Sequence, residues 1–593
     1  MKKNALIHVL VLIVTVCSFN NLFAQKNSLE NNTRKMAHLM WLINNYYVDT
    51  VNLSPIVEKA TQTMLSDLDP HSVYIPQKDV QKMNAPLQGN IIGIGVTFQL
   101  LKDTIHIMDV VAEGPAEKLG IYPGDRIISV NDTMATGDSI THDWVISRLR
   151  GKKGSMVKVG IDRKGKGMLS FNIKRDNIPV NSIDTWFMID KEVGYVSLRR
   201  FSQHSDEELR NAVEDLKKQG MKKMIFDLRS NGGGYLESAF RICEEFLPKE
   251  KMVVYTQGNK QARQEWKTSD RQGVFEKGNL IILTDEYSAS ASEITAGAMQ
   301  DWDRAVIMGR RTFGKGLVQR PFNLEDGSQI RLTTAKYYIP SGRCIQKPYD
   351  NGTEEYERDY QKRYSHGEMV YADSISYADS LKCYTNNNRV VYGGGGIMPD
   401  IFVAMDTTRA SDYYINLRSK NLFNEFSTNW TETNRADILQ KYPTFEDFDK
   451  AWQSLNLLKE FQTYASEHGV KQTEIKPEWV DEMLKDYLKE AKKDTSKTYS
   501  SYSDYVNNIF DKNNMLTTIA KKANQEDIKQ QELAEKSNIH IESNLKGFIA
   551  RNLYGTKYYY KSVMQNDETL IMAIELIKDD KQYNRVLQPK SKE

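Results

Sequence analysis

GNLIILTDEYSASASEITAGAMQDWDRAVIMG (278–309) decides the fold. The run GNLIILTDE reads as an apolar strand, SEITAGAMQDW as a helix, and RAVIMG as a second apolar strand. This order places Ser290 at a strand-to-helix junction. The first N–H groups of a helix have no internal partner, and its dipole favours negative charge there. Upstream, VGYVSLRRF reads as a strand and SDEELRNAVEDLKKQG as a helix stopped by Gly220. KMIFDLRS is a buried strand, followed by a glycine loop and helix in NGGGYLESAFRICEEFL. Successive strand-loop-helix units predict an α/β core over 178–410. Residues 348–390, polar and rich in Tyr, Asp, Glu and Lys, interrupt it as an insertion, and GGGGIMPDIFVAMD (393–406) closes it.

Three other regions surround this core. Residues 25–88 carry helical apolar spacing, with Met36, Leu39, Met40, Ile43 and Tyr47 in one stripe and a second helix capped by Ser54. Residues 411–593 are largely helical, one helix presenting Phe448, Trp452, Leu455 and Leu458 on one side. Residues 89–177 change to short strands and turns: IGVTFQLL, IHIMDVV, the short helix EGPAEKLG, PGDRIISVND, the helix HDWVISRLRG, then SMVKVGIDR and MLSFNIKR. That order resembles a PDZ domain, with Gly93, Ile94, Gly95 and Val96 where such a domain binds a peptide's terminal carboxylate. Small residues in such a loop expose backbone N–H groups, and the next strand can pair with the peptide. The expected architecture is multidomain α/β, with helical regions at both ends.

The chemistry centres on Ser290 and Lys315. A serine hydroxyl is a weak nucleophile until a base takes its proton. Of the nine histidines only His204 lies in the α/β core outside the insertion, in the polar stretch SQHSDEE, and no GxSxG surrounds Ser290. Lys315, between two glycines in TFGKG, is the candidate base. An amine acts as a base only when unprotonated, and burial in an apolar site favours that form. Gln319, four residues on, can orient the amine across one helical turn or across a bend. The N–H of Ala291, at the helix start, suits a tetrahedral oxyanion. A second donor comes from the glycine run after FDLRS, with Gly234 preferred and Gly233 its competitor.

DLRSNGGG, SASASEI, TFGKGLVQ, KYYIPSGRCIQ and GGGGIMPDI stand in the order seen in the C-terminal processing peptidases, or tail-specific proteases. The chain resembles that family from about residue 30 to 410. The resemblance implies a crotonase-like core, Ser290 as nucleophile, Lys315 as general base, Gln319 as the residue aiming the lysine, and Gly234 with Ala291 as oxyanion hole. Ser288 and Ser292 are not the matching position. It further implies protein or peptide substrates captured by free C-terminal tails, with gating by movement of the PDZ domain. An adaptor protein is admitted as a partner. Three other readings are weighed: a catalytically idle peptide-binding scaffold, a trypsin-like PDZ protease using histidine, and acyl transfer on a crotonase-like core, for which no CoA-directed feature is evident.

Composition sets the bounds. The chain has 593 residues, enough for three or four domains, with 40% hydrophobic and 27% charged residues and a net charge of +2. No basic field points to nucleic acid. Residues 1–24 read as a secretory signal: Lys2 and Lys3, the short apolar run 5–16, and Ala24. That run is too short to span a membrane. The protein is expected to be exported to the periplasm, attached to a membrane at most through its N-terminus, Cys17 offering a lipid-anchored alternative. Cys243, Cys344 and Cys383 form no disulfide framework, though a single Cys344–Cys383 bridge is conceivable. No CxxC or HExxH occurs, so neither a metal nor another cofactor is expected.

Overall fold

The computed structural model describes residues 28–472 except 102, 112, 164 and 376, together with 477–493, 501, 504 and 512–589. The proposed signal segment lies outside these residues. Two compact units divide the chain. The first comprises residues up to Val80 with Gln319–Thr333 and Tyr349–Tyr356, and the second the remainder.

In the first unit, helices span 28–46 and Leu53–Ser66. The second helix is capped by Asn52, whose side chain accepts from the Ser54 N–H, so Ser54 is not the cap. The strand Val73–Ile75 pairs antiparallel with Gln329–Arg331. The turn before it is built on Asp69, which accepts from the His71 and Ser72 N–H groups and from the Thr333 hydroxyl.

The second unit contains the α/β core. Its sheet runs Ile183–Met188, Val193–Leu198, Lys223–Asp227, Leu280–Thr284, Val306–Gly309 and Ile401–Phe402 in spatial order. The first pair is antiparallel and the others are parallel. Strand side chains alternate between faces. Phe226, Leu280, Ile282 and Ile307 pack under the helices Ser205–Lys218, Leu236–Glu244 and Ala291–Asp301. Ile225, Ile281, Leu283 and Met308 face the other way, onto Leu570, Ala573 and Ile577 of the helix Glu568–Lys578. Both faces are covered, which is why these strands are apolar at nearly every position. The Tyr583 hydroxyl seals the second face by donating to the Leu280 carbonyl at 2.9 Å and accepting from its N–H at 3.0 Å.

The β-rich region forms an antiparallel sheet in the order Val96–Leu101, Thr104–Val110, Arg126–Val130, Met156–Arg163 and Gly167–Lys174, with helices Pro115–Lys118 and His142–Leu149. Among the described strands Val96–Leu101 is an edge. Gln99 and Arg126 of this sheet meet Asn424 and Glu432 of the helix Leu422–Lys441. The C-terminal region is helical, dominated by the 43-residue helix Lys512–Tyr554. The stretch expected as one helix through Phe448 and Leu458 is broken. Asn456, at φ 49°, separates the turns ending at Leu455 from the helix Leu457–Glu467. All three described cysteines are free thiols.

Candidate active site

The strand Leu280–Thr284 ends in a turn organised by the buried Asp285 carboxylate, which accepts from the N–H groups of Ser230, Tyr287 and Ser288. The glycine loop is thereby tied to the serine loop. Asn231 completes the junction: its carbonyl accepts from the Ala289 N–H at 3.0 Å and the Ser292 hydroxyl at 2.8 Å. The three serines of SASAS are then distinguishable. Ser288 and Ser292 are fully buried, their hydroxyls donating to the carbonyls of Leu228 and Asn231. Ser290 is only partly buried.

Ser290 stands immediately before the helix Ala291–Asp301 at φ 58°, ψ −113°. A non-glycine residue rarely holds that conformation, which costs about 1–3 kcal/mol and persists only when its surroundings enforce it. Two side chains enforce it here. Glu293, fully buried, accepts from the Ser290 N–H at 2.8 Å and from the Lys315 N–H at 2.8 Å, both on Oε2. Its Oε1 accepts from the Gly314 N–H at 2.7 Å and the Thr312 hydroxyl at 2.5 Å. Tyr337, also buried, places its hydroxyl 3.1 Å from the Ser290 carbonyl and 2.7 Å from the Lys315 carbonyl. The main chains of Ser290 and Lys315 are thus joined through their N–H groups and through their carbonyls. Burial pushes the Glu293 carboxyl up to about 7, against the pull of the Thr312, Lys315, Gly314 and Ser290 hydrogen bonds.

The glycine loop closes on the same point. A Cβ on Gly233 (φ 96°) would lie 2.8 Å from Ser290 Cβ and 2.9 Å from the Ala291 nitrogen. The Gly233 N–H already donates to the Asn231 side chain at 2.9 Å. The N–H groups of Gly234 and Ala291 find no acceptor among the described residues. On the other side, a Cβ on Gly316 would come 2.8 Å from the Gln346 nitrogen, so the Lys315 loop lies against the KYYIPSGRCIQ segment.

The remaining candidates sit elsewhere. Gln319 belongs to the first unit and lies in the strand Leu317–Asn323, so the helical-turn arrangement is excluded. Its amide donates to the His71 carbonyl. Gly93 pairs with Asp176 at the end of its strand, Ile94 is buried, and Gly95 takes φ 81°. His204 lies at the start of the helix Ser205–Lys218 beside Glu207.

Sequence reasoning missed Glu293, Tyr337 and Asn231. Glu293 carried a readable signal, because Ser290-x-x-Glu293 is the spacing of a capping box.

A strained serine joined to a lysine loop beside two unpaired N–H groups defines a hydrolase-type site on an α/β core. Comparison with known proteins gives the class a family. Residues 192–355 match the model of peptidase family S41 and residues 93–174 that of the PDZ domain, while 413–489 and 476–555 match a family of unknown function. The chain is 33% identical over 339 residues to the "Probable CtpA-like serine protease" of Staphylococcus epidermidis, a match covering 56% of this chain and 68% of that protein. It is 36% identical over 314 residues to the carboxy-terminal processing protease CtpB of Bacillus subtilis, covering 52% of this chain and 64% of that one. Among solved structures, the photosystem II D1 C-terminal processing protease matches at 25% identity with a TM-score of 0.31, over 51% of this chain and 81% of the other. The chain belongs to peptidase family S41.

Proposed function

We propose that this chain is a serine endopeptidase that captures the C-terminal tails of envelope proteins and hydrolyses their peptide bonds with a Ser290–Lys315 dyad. One observation carries the reading: a single buried carboxylate oxygen, Glu293 Oε2, holds the main-chain N–H of both residues at 2.8 Å. In this reading a tail enters with its carboxylate on the backbone N–H groups of Gly93, Ile94, Gly95 and Val96. It adds as a strand to the open edge of Val96–Leu101. Lys315 takes the Ser290 proton as Oγ attacks the peptide carbonyl, and the oxyanion forms against the N–H groups of Gly234 and Ala291. The occupied Gly233 N–H favours Gly234 as second donor. Collapse expels the new amine and leaves an acyl-enzyme that water hydrolyses. Gln319, at the start of the strand after the lysine loop, is assigned the alignment of the amine. The domains run 25–88, 89–177, 178–410 and 411–593 after an N-terminal signal over 1–24, and the site of action is the periplasm, with an adaptor protein admitted.

Cleavage of an unfolded protein ending in an apolar tail is compared for the wild type, Ser290→Ala, Lys315→Ala and His204→Ala. The first two variants should be inactive and the third active. Cleavage by Lys315→Ala at the wild-type rate refutes the dyad. Trapping with Ser290→Ala in the cell envelope, followed by reading the bound C-termini, tests location and tail preference.

A further inference from the structure

The inserted segment 348–390 buries charged groups against the lysine loop. Arg363, in the short helix Asp359–Ser365, has its side chain 4% exposed. Its guanidinium donates to the carbonyl of Arg311 at 2.7 Å and to that of Thr312 at 3.2 Å. Its Nε donates to Glu368 at 2.7 Å, and the Arg311 guanidinium takes both oxygens of the same carboxylate, each at 2.7 Å. Buried guanidinium groups persist only when paired, and Glu368 pairs two of them. From the same helix Tyr360 stacks on Tyr287, at the head of the serine loop, with 5.6 Å between ring centres. Asp359 pairs at 2.9 Å with Lys347, whose N–H donates to the Gly314 carbonyl at 2.9 Å and whose ammonium lies 4.0 Å over the Phe313 ring.

Arg311 and Thr312 are therefore gripped from the insertion, and Phe313 and Gly314 by Lys347, itself paired with the insertion's Asp359, while Glu293 grips Thr312, Gly314 and Lys315 from the core helix. A guanidinium is a rigid planar fork. Bound to two successive carbonyls, it fixes the peptide planes that lead into Gly314 and Lys315. A loop flanked by glycines would otherwise sample many conformations. We propose that the insertion is a positioning element for the general base, in which Arg363, locked by Glu368, sets Lys315 against Ser290 through the 311–315 main chain. The proposal rests on the Ser-Lys reading. Arg363 touches neither nucleophile nor substrate in this scheme; it acts through the loop.

The test measures phosphonylation of Ser290 by a fluorophosphonate in the wild type, Arg363→Met, Arg363→Lys, Lys315→Ala and the double variant Lys315→Ala/Arg363→Met. A misplacement of the base near 1 Å slows reaction about 100-fold. Arg363→Met should slow labelling roughly 10- to 100-fold, with binding of an apolar-tailed peptide to the full-length protein unchanged. Arg363→Lys, which keeps the charge beside Glu368 but lacks the fork, should recover part of the rate. In the Lys315→Ala background Arg363→Met should have no further effect, because it acts through the lysine. Equal slowing in both backgrounds, or a wild-type rate for Arg363→Met, overturns the positioning role and leaves the dyad standing. Wild-type labelling by Lys315→Ala overturns the dyad and the positioning role together. Should Arg363→Met not fold, wild-type labelling by Arg363→Lys alone overturns the proposal.

Discussion

Replacing Glu293 by glutamine separates two effects that the wild type combines. The folded carboxyl is raised to about 7 from an ordinary 4.5, burial being the main cause. Its contribution to stability is therefore full below pH about 4.5 and lost as pH rises to about 7. At 1.36 kcal/mol per pH unit, ionising Glu293 costs the fold about 3 kcal/mol. Function runs the other way. All four partners of Glu293 offer donors, and only the ionised form accepts from all of them. Glu293→Gln removes the ionisation cost. Its carbonyl oxygen can keep the Ser290 and Lys315 N–H groups if its NH₂ group turns to Thr312, which leaves the Gly314 N–H unsatisfied at about 1–3 kcal/mol. Relative to the variant, the wild type should thus lose about 3 kcal/mol between pH 5 and pH 8 in urea unfolding. Fluorophosphonate labelling of Ser290 should rise through an inflection near pH 7 in the wild type, following the Glu293 carboxyl. The variant should be about tenfold slower and lack that inflection. Glu293→Ala orphans the buried Gly314 N–H and the part-buried Ser290 and Lys315 N–H groups, about 3–9 kcal/mol in all at full burial, which is comparable with the whole stability of a domain; little folded protein should accumulate. A stability difference between wild type and Glu293→Gln that stays constant from pH 5 to 8, with equal labelling rates, would refute the reasoning.

Gly233→Ala should abolish labelling of Ser290, since the added methyl meets Ser290 Cβ at 2.8 Å and the Ala289 carbonyl at 2.7 Å; a wild-type rate would show that the glycine loop is not fixed there. Asp567→Ala should lower stability by about 1.5–3 kcal/mol in urea unfolding, because it removes a charged partner of the part-buried Arg229, held 2.8 Å away, and the cap of the helix Glu568–Lys578. His106 is held down to about 4 by burial and then by Arg126. It contributes stability that is present above its ordinary 6.5 and lost as pH falls towards 4, so His106→Gln should flatten the acid limb of the unfolding curve.

The alternation of apolar strands, polar turns and capped helices in 178–309 was readable because each unit obeys a local rule. The places of Ser290 and the glycine loop followed from it, whereas Lys315 was singled out by its TFGKG loop and by the family resemblance. Tyr337 was not readable, since nothing local tells a tyrosine hydroxyl in a strand that two carbonyls await it from 47 and 22 residues away. Arg363 and Glu368 were hidden by the rule that charge marks surface, which fails once a carboxylate serves two guanidinium groups. The break at Asn456 went unseen because apolar spacing continues across it. An apolar stripe on the helix Glu568–Lys578 announces burial, not against which partner, and its partner is a sheet whose strands lie far earlier in the chain.

That distance gives the fold a timetable. Leu280 and Tyr583, which close the second face of the core sheet, are 303 residues apart. At about 5–20 residues per second, roughly 15–60 s separate their appearance during synthesis. Throughout that interval the strand Leu280–Thr284, which leads to Ser290, has one bare face, and contacts of such long sequence separation form late. Completion of the sheet that leads into Ser290 is thereby postponed by chain order: the strand is laid down long before the helix that covers its second face arrives.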